Sequence, residues 1–184
     1  MHSNPFTDPF AAAVELGISR SLIAARGLIE CEEATELEQV ALAPDGREHL
    51  LIPAAAQAWR LLQDAAQADG IQLRIVSAFR SVERQAEIVR RKLAVGQTLE
   101  AILAVSAPPG FSEHHTGRAV DLSAPGAARL EPEFDQTPAF AWLMRRGADF
   151  GFRMSFAPGN PQGYGYEPWH WCFHAPQDHG GTSA

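Results

Sequence analysis

The chain is poor in several things that would have directed its interpretation elsewhere. It has two cysteines, Cys31 and Cys172, in 184 residues. That is too few for a disulfide framework, and their wide separation predicts two reduced thiols. It has no excess of basic residues: 15 Lys and Arg stand against 22 Asp and Glu, for a formal net charge of −7. Nucleic acid and anionic membrane need a positive footprint, so both are excluded as expected partners. "VRRK" at 89–92 is too short to reverse this and falls on a predicted helix. No apolar run approaches the roughly 18 residues of a membrane span. The opening "MHSNPFTDPF" lacks the basic start of a signal peptide, and Asp8, Pro9 and Glu15 interrupt the apolar stretch there. The cytoplasm is the default expectation, with the periplasm or cell wall left open. Internal repeats, low-complexity linkers, an HExxH helix, a CxxC pair and a GxSxG elbow are all missing.

What remains is a chain of single-domain length and ordinary composition, 46% hydrophobic and 20% charged. One domain over residues 1–184 is expected, with a helical extension at 1–36 and a core at about 50–174. An alanine-rich helix is predicted across 10–26, followed by a solvated acidic patch at 30–38. A strand is predicted at 39–43 and a turn at 44–49. Pro53 to Ala68 repeats its apolar residues at helical spacing, between a proline start and Gly70. "IQLRIVSAF" at 71–79 alternates as a half-buried strand does, with Ile71, Leu73 and Ile75 inward. Helices are then predicted from Ser81 through Ala94, at 98–105 and at 137–151. Short strands are predicted at 117–124, within "FRMSF" and within "HWCFH", the last two flanking a Gly/Pro/Asn-rich loop at 158–165. Helices and strands mix without regular alternation, so the expected class is α+β, a mostly antiparallel sheet flanked by helices.

The histidines carry the chemistry. There are seven: His2, His49, His114, His115, His170, His174 and His179. His114 and Asp121 flank a glycine-containing turn in "SEHHTGRAVD", and His170 closes "EPWH" three residues after Glu167. A catalytic zinc needs three protein ligands and an open position, with an unligated carboxylate nearby to take a proton from water. His114, Asp121 and His170 fill the ligand roles, and Glu167 fills the role of base.

These motifs resemble a known family. "SEHHTGRAVD" is similar to the pattern S-x-H-x-x-G-x-A-x-D, "EPWHW" to its E-x-x-H partner, and "SAFRSVERQ" at 77–85 to its arginine–glutamine motif. Together they resemble the VanY-type zinc D-alanyl-D-alanine carboxypeptidases, within the LAS group, which shares its fold with the Hedgehog signalling domain. The resemblance implies a DD-peptidase-like fold and one Zn2+ per chain, held by His114, Asp121 and His170. It implies Glu167 as catalytic base and Arg80 at the oxyanion, with Ser112 and Gln85 against the terminal residue of the peptide. The implied substrate is a peptidoglycan-derived peptide or a D-Ala-D-Ala-type dipeptide. An endopeptidase acting within the stem peptide and a non-catalytic zinc-stabilised binding module are the alternatives. His115 stands where the family pattern is free, so a surface or supporting role is expected. Trp169 and Trp171 are expected to pack around His170, and Gly117 to relieve crowding after the first ligand. The chain departs from the family after "EPWHW", where Cys172, Phe173 and His174 replace a basic residue and an aromatic. Oligomeric state is not encoded in any of these features.

Overall fold

Capping residues lay out the helices of this chain, and a computed structural model describes residues 9–175 of it. His2 and His179, with the rest of 1–8 and 176–184, lie outside the described residues. The single helix expected over 10–26 is two, α1 (Pro9–Glu15) and α2 (Arg20–Ala25). Gly17 adopts a left-handed φ of 81° between them, and Ser19 starts the second by accepting from the Leu22 amide. β1 (Glu38–Leu42) pairs antiparallel with β2 (Glu48–Leu51). The segment expected to be only a turn at 44–49 therefore ends in strand residues. α3 (Pro53–Ala68) is as expected, with Ala56, Trp59, Leu62 and Ala66 all buried. β3 (Arg74–Ser77) is shorter than the predicted strand at both ends. The Ile71 amide is still tied to Ala66 at the end of α3, and that of Phe79 has already turned to Leu50 of β2.

α4 (Val82–Ala94) begins at Ser81, whose hydroxyl accepts from the Arg84 amide, and α5 (Leu99–Ala104) begins at Thr98 in the same way. β4 (Ala119–Ser123) follows, then α6 (Pro138–Arg146), capped by Thr137. Residues Gly147–Phe150 tighten into a 3-10 turn, so the helix expected to 151 stops early. β5 (Phe152–Met154) and β6 (His170–Phe173) close the order.

β3, β4, β6 and β5 form one sheet in that spatial order, every pair antiparallel. The fold is α+β. Side chains alternate across a sheet, and here the alternation divides core from site. Val120 and Leu122 of β4, with Trp171 and Phe173 of β6, join Trp59 and Leu62 of α3 and Trp142 and Leu143 of α6 in the main core. Each such side chain contributes roughly 1.5–3 kcal/mol through burial. The opposite face carries Asp121 and His170, which stand directly across from one another in the β4–β6 register. All five residues of β4 are buried, because this central strand is covered on both faces. A smaller apolar cluster of Ala13, Ile18, Ile23, Leu103 and Phe111 fastens α1 and α2 against α5. Among the described residues both cysteines are free, and no helix is long and apolar enough to cross a membrane.

Candidate metal centre

Register and a single turn bring the cluster together. The 3-10 turn Glu113–Thr116 supplies His114, the middle of β4 supplies Asp121 and the first residue of β6 supplies His170. Their ligand-capable atoms all lie within 4.8 Å of one another, and all three residues are buried. The turn closes on Gly117 with φ of 63°, and a Cβ there would meet Ile52 Cγ2 and Leu37 Cδ2 at 3.0 Å. Only glycine fits that corner without strain.

The hydrogen bonds fix how each imidazole presents itself. His114 Nδ1 donates to the Ala78 carbonyl at 2.7 Å, which leaves Nε2 facing Asp121 Oδ2 at 3.2 Å. His170 Nε2 donates to Glu113 Oε2 at 2.8 Å, which leaves Nδ1 facing Asp121 Oδ1 at 3.0 Å. Each ring thus spends its one N–H on an acceptor behind it and turns a lone pair towards the same carboxylate. Lone pair against lone pair is stable only if a proton or a metal cation lies between, so this donor set fits a divalent cation. Without one, protons do that work. Burial opposes a charged His170, but its bonds to Asp121 and Glu113 outweigh burial and raise its pKa to about 10. Burial also raises the Glu113 carboxyl, but the hydrogen bond from His170 prevails and brings it down to about 2. Burial, helped by the Arg80 charge, pulls His114 the other way, below its ordinary value.

Glu113 was not singled out by the sequence, nor was Ser155, whose hydroxyl donates to Glu113 Oε2 at 2.6 Å. Glu113 precedes a ligand in sequence and looked like one more acidic residue. Only the fold shows that it orients the other histidine.

A cavity of about 480 Å³ opens over the cluster, and Arg80, Ser112, Glu167, Trp169 and Phe156 are among its walls. Burial first, then the Asp121 charge, push the Glu167 carboxyl up to about 7 against the attraction of His170, Arg80 and Lys92. A carboxylate poised there exchanges protons readily near neutrality. The Arg80 guanidinium donates to Gln85 Oε1 at 2.8 Å and to Ser77 Oγ at 3.0 Å, and stands 3.9 Å from Asp121 Oδ2. Gln85 was expected against the peptide. It lies instead behind Arg80, fully buried and outside the cavity wall, donating to the Ala107 carbonyl at 2.7 Å. Helical spacing explains this: Val82, Gln85, Ala86 and Val89 form the buried face of α4.

His115 is not on the surface. It is completely buried, its Nδ1 donates to the Arg80 carbonyl at 2.6 Å and its Nε2 accepts from the Gly110 amide at 3.1 Å. Burial takes its pKa down to about 4, so it holds the arginine loop as a neutral ring. Trp171 packs in the core and donates to the Pro168 carbonyl, whereas Trp169 is a cavity wall. Phe156 covers the His170 ring, with centroids 4.7 Å apart.

The match to known proteins falls on this region. A family model described as VanY, D-alanyl-D-alanine carboxypeptidase, matches residues 48–176. The chain belongs to the VanY family. A Bacillus subtilis (strain 168) protein named as a carboxypeptidase, YodJ, is 36% identical over 120 residues, which is 63% of this chain and 43% of that protein. The chain spans less than half the length of the curated relatives it matches. Among solved structures, the LD-carboxypeptidase LdcB superposes with a TM-score of 0.68 at 28% identity, covering 77% of this chain and 69% of that one. A VanY D,D-pentapeptidase bound to Zn(II), from a VanB-type resistance cassette, superposes with a TM-score of 0.61 at 30% identity, covering 80% and 88%. A VanY structure in complex with D-alanine-D-alanine gives the same TM-score at 31% identity, covering 79% and 81%.

Proposed function

We propose that the chain is a zinc carboxypeptidase that releases a C-terminal D-amino acid, D-alanine, from peptidoglycan-type peptides. The observation that carries this reading is the pairing in one cavity of the His114–Asp121–His170 donor set with a carboxyl, Glu167, whose pKa lies near 7. His114 Nε2, His170 Nδ1 and the Asp121 carboxylate would hold the metal. Zinc, when bound, polarises a carbonyl and lowers the pKa of a water. Glu167 accepts the proton of the attacking water and returns it to the nitrogen of the leaving D-alanine. Arg80 donates to the oxygen that becomes negative as the carbonyl carbon turns tetrahedral. Ser112, a buried residue of the cavity wall, faces the peptide, and Gln85 positions Arg80 instead of touching substrate. Glu113 and Ser155 set the angle and tautomer of His170 from behind.

The test is mass spectrometry of products from stem tripeptide, tetrapeptide and pentapeptide and from D-Ala-D-Ala. Release of a single terminal D-alanine is expected. Internal cleavage would make the protein a stem-peptide endopeptidase, and intact substrates with zinc bound would make it a binding module. In parallel, metal analysis should give about one zinc per chain, falling sharply in His114→Ala and His170→Ala. Unchanged metal content in both variants would remove the ligand assignment.

A further inference from the structure

Lys92 is the chain's single lysine, and it stands in the wall of the same cavity. It lies on α4 seven residues after Gln85, two turns or about 10 Å further along the helix axis on the same side. Its ammonium donates to Ser106 Oγ at 2.7 Å, a neutral partner that also lines the cavity. Among the described residues no carboxylate comes within ion-pair distance of it. Burial and the nearby charge of Arg80 both press against its charged form. A cation kept half-buried beside another cation, hydrogen-bonded to a hydroxyl and drawn only at longer range by the Glu167 carboxylate, is a place where an anion would be favoured.

The two cations are ends of one braced wall. Arg80 holds Gln85, Gln85 holds the Ala107 carbonyl, and the next residue back, Ser106, holds Lys92. Ile88 and Val105 give that end an apolar lining between the polar groups. One extended residue spans about 3.3–3.6 Å. A carboxylate one residue beyond a carbonyl held between Arg80 and Asp121 stays within the cavity that Ser106 and Lys92 also line.

We propose that Lys92 and Ser106 form the subsite for the α-carboxylate of the substrate's leaving residue. This rests on the carboxypeptidase reading above and supplies its choice of a terminal over an internal bond. A free carboxylate gives the ammonium a counter-charge and both donors an acceptor. The amide of a continuing peptide gives no charge, and would leave Lys92 as it is now.

The experiment uses the zinc-loaded full chain and a matched pair of peptides ending in D-Ala-D-Ala, one a free acid and one a C-terminal amide. The wild type should favour the acid. Lys92→Met should raise KM for the acid about 10- to 100-fold with kcat little changed, and should erase most of the preference over the amide. Lys92→Arg should retain part of that preference. Ser106→Ala, which leaves the helix untouched, should lower it about 3- to 10-fold and serves should the methionine variant fail to fold. An undiminished preference for the acid in folded Lys92→Met, or in Ser106→Ala if that is the variant in hand, overturns the subsite while leaving the carboxypeptidase reading intact. A wild type that cleaves neither peptide overturns both.

Discussion

Glu167→Gln keeps the shape of a half-buried side chain and removes its charge, which makes it a test of both stability and catalysis. In the folded, metal-free protein the Glu167 carboxyl is displaced from its ordinary 4.5 to about 7, chiefly by burial and then by the neighbouring Asp121 charge. The folded pKa lies above the unfolded one, so the fold favours the neutral carboxyl. That advantage is complete below about pH 4.5 and is lost as pH rises through about 7. Above that range, the fold carries an ionised carboxylate at a cost of about 3 kcal/mol. Glutamine does not titrate and avoids the cost. Urea unfolding of the metal-free wild type and variant should therefore show the variant more stable by about 2–3 kcal/mol near pH 8.5. Near pH 5 the advantage should shrink to less than about 1 kcal/mol. The midpoint should move while the slope stays constant. The same variant should keep its zinc and lose hydrolysis. Equal stability of the two proteins near pH 8.5 would refute the idea that Glu167 is held in a desolvated, proton-hungry place, and with it the basis for naming it the base.

Two further substitutions probe the scaffold. Glu113→Gln leaves His170 without its carboxylate acceptor and should weaken zinc binding about 10- to 100-fold in chelator competition, with Ser155→Ala having a smaller effect in the same direction; equal affinities would deny Glu113 a part in the centre. Gly117→Ala forces a left-handed conformation on a residue whose Cβ would meet Ile52 and Leu37 at 3.0 Å. It should cost about 2 kcal/mol, seen as a fall of about 4–8 °C in thermal melting, and an unchanged Tm would contradict the turn that presents His114.

Much of this arrangement was legible because its signals are local. Pro53, Ser81, Thr98 and Thr137 each mark a helix start by chemistry that acts within four residues, and each start is where the sequence placed it. The donor set was legible for a different reason: residue types at fixed spacing name a chemistry even when the clusters are about fifty residues apart. What stayed hidden depends on partners far along the chain. β2 contains Glu48 and His49 and reads as part of a turn until β1 pairs with it. β4 has an alternating pattern, yet both its faces are covered. Gln85 belongs to a motif that suggests substrate, but its place on the inner face of α4 turns it towards Arg80. His115 and Glu113 flank His114, and nothing in that triplet reveals that one braces the arginine loop and the other braces His170.

The segment before residue 48 lies outside the family match, yet its hydrogen bonds run to the back of the site. The Arg26 guanidinium donates to the Leu103 and Gln162 carbonyls and stacks on Tyr164 of the cavity wall. The Cys31 amide donates to the Gly110 carbonyl, and the Ala34 amide to that of His115. Glu33 accepts from the Val82 amide at 2.6 Å, at the first residue of α4. That amide has no partner inside the helix, and a carboxylate at a helix N-terminus also meets the positive end of its dipole. Ser81 satisfies a second such amide from within the chain's own turn. α4 therefore starts from two anchors, one local and one from the N-terminal segment. Because α4 carries Gln85, Ile88 and Lys92, the direction in which it leaves Glu33 sets how Arg80 is braced and where the far wall of the cavity stands. Among the described residues, the N-terminal segment acts on the site through that helix, while the His114–Asp121–His170 donor set comes from further along the chain.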